Sequence, residues 1–175
     1  MTTQARSTLS VSSIVCDSPA FAELSADLLR AGRSVRFRAR GVSMAPLVRD
    51  GDVLLVQPVH RHAARLGDVL LIRHGPERVL VHRVVGRAAG PEGLHLTLQG
   101  DQVAHPDGVI PEVDVLGCVV AIERGGALLE MHRPAMRLLG WLAVLRSRWS
   151  VGRGPRFEVA RRMVKGLPVF SRYLA

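Results

Sequence analysis

The chain has 175 residues, 47% hydrophobic and 22% charged, which is enough for one domain with a core and too few for two ordinary ones. That balance excludes a disordered, collagen-like or coiled-coil chain, and 17 Gly with 10 Pro point to a turn-rich, mainly β body. Aromatic residues are only 4%, leaving no platform for stacked bases, so no nucleic-acid partner is expected. The net charge of +9 is local: residues 1–130 hold 14 Arg against 14 Asp/Glu, and residues 131–175 hold ten Lys/Arg against Glu158 alone.

Cys16 and Cys118 lie far apart in the chain without C-x-x-C spacing or a histidine cluster, so no metal site or cofactor is expected and the thiols read as reduced. No apolar run makes a secretory signal or approaches the ~18 residues of a membrane span. The expectation is a cytoplasmic protein, with the cationic tail as a means of peripheral attachment to the inner face of the membrane.

In chain order, Ser18-Pro19 opens a short helix carrying Phe21, Leu24, Leu28 and Leu29, which Gly32 stops. Residues 34–40 alternate, with Val35, Phe37 and Ala39 on one side and arginines on the other, the period of a half-buried strand. Two β-branched runs then follow Gly-Asp turns, at Gly51-Asp52 and Gly67-Asp68, and read as paired strands of a small sheet. Further strands fit 78–85, 94–99 and 115–123, and Gly125-Gly126 turns back into 127–131. Pro134 opens a helix through Trp149, and a second basic helix carries Phe157, Ala160 and Val164. The organisation is thus an N-terminal segment with one helix (1–32), a compact β unit (33–131) and a basic amphipathic helical tail (132–175).

The first tail helix sets Trp141 and Trp149 beside Arg137, Arg146 and Arg148. That composition suits a helix lying in an anionic membrane interface. It equally suits one packed on the β unit with a solvated basic face.

Three polar spots mark the β unit: Gly41-Val42-Ser43-Met44-Ala45-Pro46, Val81-His82-Arg83-Val84-Val85, and Gly100-Asp101 followed by Asp107. A serine after Gly-Val is ordinarily a turn residue. His82, however, shares its strand face with Leu80 and Val84, so its ring is set among apolar side chains and needs a partner for each nitrogen. A hydroxyl on one side and a carboxylate on the other would satisfy both, and that arrangement also activates a serine.

Taken together, Ser43-Met44-x-Pro46, Gly51-Asp52-Val53, Gly67-Asp68-Val69, His82-Arg83-Val84-Val85, Gly100-Asp101 and Gly117-x-Val119-Val120 resemble the signal peptidase superfamily of serine endopeptidases, which also holds self-cleaving repressors. The resemblance spans 41 to about 123 and implies a coiled-sheet, barrel-like catalytic domain. In that superfamily the base is a lysine or, in the archaeal and endoplasmic-reticulum branch, a histidine. The single lysine here is Lys165, and arginine cannot serve as a base, so the resemblance is to the histidine branch. It implies Ser43 as nucleophile, His82 as base, Asp107 as the acid that orients it, Asp101 as a second acidic position and fallback partner, and Met44 in the substrate groove. An imidazole, with an ordinary pKa near ~6.5, serves as base near neutrality. His105, between the two acids, is a rival for a site role.

The function implied is an endopeptidase cutting an extended leader or precursor peptide after a small residue, without a cofactor. Two alternatives stand beside it: a non-catalytic peptide-binding or scaffold module of the same fold, and a self-cleaving repressor. The second needs a DNA-reading domain, for which residues 1–32 offer one helix where a helix-turn-helix needs two.

Overall fold

The computed structural model describes residues 19–59, 64–75, 78–90 and 93–151, the last four by backbone alone. Cys16, Ser18, His60, His62, the side chain of Trp149 and the second basic helix expected through Phe157, Ala160 and Val164 lie outside the described residues.

The helix α1 (Pro19–Arg30) precedes the strands β1 (Val35–Arg38), β2 (Val53–Gln57), β3 (Val69–Arg73), β4 (Val79–Gly90), β5 (Gly93–Gln99), β6 (Gly108–Pro111), β7 (Val115–Arg124) and β8 (Ala127–Glu130), and the helix α2 (Pro134–Val151) follows. All eight strands join one antiparallel sheet in the order β1-β2-β7-β3-β4-β5-β6, and β8 adds to β7. The sheet is open, ending at β1 and β6. The mainly β reading with a short leading helix therefore holds, and the barrel does not close.

One expectation needs correcting. The two runs that follow the Gly-Asp turns, β2 and β3, do not pair with each other, because β7 lies between them and runs antiparallel to both. On its other edge β7 serves β3 with its first residues and β8 with its last.

β3 explains why the sheet supports two cores. Side chains alternate along a strand, so the unbroken run Val69-Leu70-Leu71-Ile72 must be buried on both faces. Val69 and Leu71 join Phe21, Leu29, Phe37, Leu54 and Ile122 in one core, while Leu70 and Ile72 join Val84, Leu96, Leu98 and Ile110 in the other. Helix α1 closes the first core, with Phe21 meeting Phe37 edge-on at 5.1 Å between ring centroids. Pairs of this kind add about 0.5–1.5 kcal/mol beyond their area burial.

Helix α2 combines elements of the two readings of its sequence. It packs on the β unit, but through Gly140, Val144 and Ser147, while Leu138, Leu139, Trp141 and Leu142 face outward and are 50–58% exposed. A side chain at Gly140 would come within 3.0 Å of the Gly67 carbonyl and 3.1 Å of the Arg83 guanidinium, so the helix seats where it has no Cβ. The outward face is consequently apolar with arginines around it, not a solvated basic face.

Candidate active site

The two Gly-Asp turns are built alike. In each, the aspartate carboxylate accepts from the backbone N–H three residues back, Arg49 to Asp52 at 2.7 Å and Arg65 to Asp68 at 2.8 Å. The glycine takes a positive φ, +86° at Gly51 and +91° at Gly67, as the third position of such a turn requires. The first turn anchors the segment that carries Ser43. Asp52 forms a two-point ion pair with Arg124, whose guanidinium also donates to the Leu47 carbonyl at 2.7 Å. That guanidinium holds the Asp52 carboxyl below its ordinary range, against the opposing effect of burial.

Ser43 sits in a run of turns between β1 and β2, with Ala45 N–H bonded to the Val42 carbonyl at 3.0 Å and Val48 N–H to the Met44 carbonyl at 2.9 Å. Behind it, Met44 is buried in the first core. His82 lies on β4 opposite Leu70 of β3 and is 5% exposed. Its Nε2 is 3.1 Å from Ser43 Oγ, and its Nδ1 meets Asp107 Oδ2. Asp107 is fixed just before β6, its N–H bonded to the Leu98 carbonyl at 2.9 Å. With the carboxylate on Nδ1–H, Nε2 is left with its lone pair toward the hydroxyl, so an alcohol, an imidazole and a carboxylate stand in series.

Neighbouring residues on a strand point to opposite faces, and Arg83 accordingly looks away from the serine. It makes a two-point ion pair with Asp101, at 2.8 and 2.6 Å, and donates to the Gly67 carbonyl at 2.7 Å. Asp101, the fallback partner of His82, is thus placed on Arg83, whereas Asp107 is placed on His82. His105, the rival, is exposed.

Gly100 joins the two halves of the site. Its backbone passes so close to the serine segment that an added Cβ would stand 2.8 Å from the Ser43 carbonyl oxygen and 3.0 Å from His82 Nε2. Gln102 N–H then bonds the same Ser43 carbonyl at 2.8 Å. A side chain at position 100 would force the serine and the imidazole apart.

Beside Ser43 and His82 a cleft of about 130 Å³ is lined by Phe37, Ala39, Met44, Val79 and Val81. Its β4 wall has an open edge, because pairing of β4 with β5 begins only at Arg83 opposite Gln99.

Sequence reasoning did not foresee the support behind this site. Gln99 Nε2 donates to the Val103 carbonyl at 2.6 Å, Ser147 on α2 bonds Gln99 Oε1, and Arg146 reaches the Asp101 carbonyl. Helix α2 therefore holds the stem of the loop that supplies both acids, a connection that no local spacing announces.

A nucleophile-base-acid series of this kind is the equipment of a serine hydrolase. Residues 8–120 match the Peptidase S24-like family, and the chain belongs to that peptidase family, within the superfamily of signal peptidases and self-cleaving repressors. No curated protein matches the chain.

Proposed function

We propose that the protein is a serine endopeptidase of the histidine-based, signal-peptidase-like kind, cutting an extended leader or precursor peptide after a small residue. The observation that carries this reading is His82 bridging Ser43 and Asp107. In the proposed reaction Ser43 Oγ attacks the scissile carbonyl as His82 Nε2 takes its proton, and Asp107 stabilises the resulting imidazolium and keeps the ring in place. The same imidazolium then gives the proton to the leaving amine, and water repeats the cycle to release the acyl group. The Ser43 N–H is the proposed donor to the oxyanion; removing one such donor typically costs ~10²–10³ in rate.

The substrate extends along the open edge of β4 by strand addition, with main-chain hydrogen bonds for affinity and the cleft for selectivity. Met44 lines that cleft, whose volume and apolar walls favour a small apolar side chain next to the scissile bond.

Peptides bearing Ala-x-Ala sites, incubated with the purified chain and followed by mass spectrometry, test the reading. Wild type should cleave after the second Ala, and Ser43→Ala should lose about 10³-fold or more in kcat/KM. Equal product from both proteins would overturn the assignment.

A further inference from the structure

The outer face of α2 sits outside the family match and plays no part in the proposed reaction. A helix packed against a sheet normally turns its apolar stripe inward. Here the inner face is Gly140, Val144 and Ser147, and the large apolar residues Leu138, Leu139, Trp141 and Leu142 are turned out. Leu138 and Trp141 continue into an open groove of about 910 Å³ whose walls include the exposed Leu66 and Leu128. Exposed apolar surface this contiguous marks an interaction face.

Charge selects the occupant. Arg133 and Arg137 stand at the start of the helix and Arg65 borders the groove, whose walls also hold Asp68 and Glu130, the latter paired with Arg133; the helix sequence itself, 134–151, has arginines and no Asp or Glu. A second copy would set this acid-free helix against another of the same charge. Residues 152–175, with six Lys/Arg and Glu158 alone, are of the same sign. The surface therefore calls for a partner that is apolar and anionic at once.

We propose that the outer face of α2 docks on a bilayer containing anionic lipid, with Leu138, Trp141 and Leu142 entering the interface and the arginines meeting head groups. A tryptophan flanked by leucines and cations suits that depth. Among the described residues no helix is long and apolar enough to cross a membrane, so the helix lies on the bilayer.

The test is cosedimentation of the full chain with sucrose-loaded vesicles of phosphatidylcholine alone or mixed equally with phosphatidylglycerol. The mixed vesicles should bind the protein, and added salt should weaken binding. The charge-preserving double variant Leu138→Ser, Leu142→Ser should bind at least about tenfold more weakly, as expected for losing two interfacial leucines. In a Trp149→Phe background Trp141 is the single tryptophan, and its emission should shift to the blue on mixed vesicles. Failure of wild type to bind either vesicle would overturn the proposal. So would unchanged binding by the double variant, which would assign attachment to the charges of 152–175, or self-association abolished by the double variant without vesicle binding. None of these outcomes depends on peptidase activity.

Discussion

Asp101 and Asp107 leave the same loop six residues apart, yet they serve neighbouring residues on opposite faces of β4. Asp107 meets an imidazole that must stay mobile in its protonation, while Asp101 meets a guanidinium that never loses its charge. On the proposed mechanism one carboxylate serves the chemistry and the other the architecture. The difference lies in the alternation of the strand, and it predicts that the two acids fail in different ways.

The largest effect should come from Asp107→Asn, which removes the anion behind Nδ1 and allows the ring to present the wrong tautomer. On the proposed mechanism kcat should fall by about 10⁴-fold while the melting temperature barely moves. Asp101→Asn should do the reverse, stranding the buried Arg83 charge at a cost of about 3–5 kcal/mol in urea unfolding. If the two variants lose activity and stability in the same proportion, the division between them is wrong.

Gly100→Ala probes the Ser43–His82 side alone, because position 100 lies against both residues. Pushing the serine segment away from the ring should lower kcat by about 10²-fold, as displacements near 1 Å do. A steady-state assay beside a thermal melt separates that loss from unfolding.

The paired Gly-Asp turns give a smaller and oppositely signed pair of effects. Asp52, held low by Arg124, contributes stability that is present above the ordinary carboxylate pKa and lost as pH falls through its lowered one. Asp52→Asn should therefore cost about 1–3 kcal/mol at neutral pH, and the deficit should shrink in acid. Among the described residues no guanidinium bonds Asp68, which is pushed up, chiefly by burial. Its stabilising share is present below the ordinary carboxylate pKa and lost as pH rises through the raised one. Asp68→Asn should thus raise the melting temperature slightly at neutral pH, a gain that fades as pH falls; a destabilised variant would show that Asp68 has a partner worth more than its desolvation. Smallest of all, Ser25→Ala should be neutral or mildly stabilising in the same melts, since the buried Ser25 Oγ has no hydrogen-bond partner among the described residues.

Much of this architecture is legible in periodicity. The alternation of Val35, Phe37 and Ala39 and the runs after Gly51-Asp52 and Gly67-Asp68 announce their strands, since each local pattern agrees with the burial it receives. β6 was not legible: Gly108-Val109-Ile110-Pro111 is four residues long and ends in proline, and pairing with β5 makes it a strand. The far end of β4 is hidden for a related reason, because Arg87-Ala88-Ala89 has low β propensity and is ordered by β5 opposite. Within the site, Ser43 and His82 stand out by residue type and order, but the assignment of Asp107 to one and Asp101 to the other partner needs the third dimension. The outward leucines of α2 were equally hidden, since period fixes a stripe and not the direction it faces.

The raised thiol of Cys118, pushed up to about 12 by burial and the nearby Asp68, adds a last contrast with Ser43: one nucleophilic atom is kept neutral and inert, the other is set against a base.

Arg146 and Ser147 are consecutive residues of α2, and they grip Asp101 and Gln99, which flank Gly100. One helical turn thus acts as a latch on the root of the segment from which both carboxylates hang. Prising that turn off the sheet would release the two together, so inactivation by force or by helix fraying should be abrupt and not graded. Hydrogen exchange should see amides 99–107 lose protection in one step.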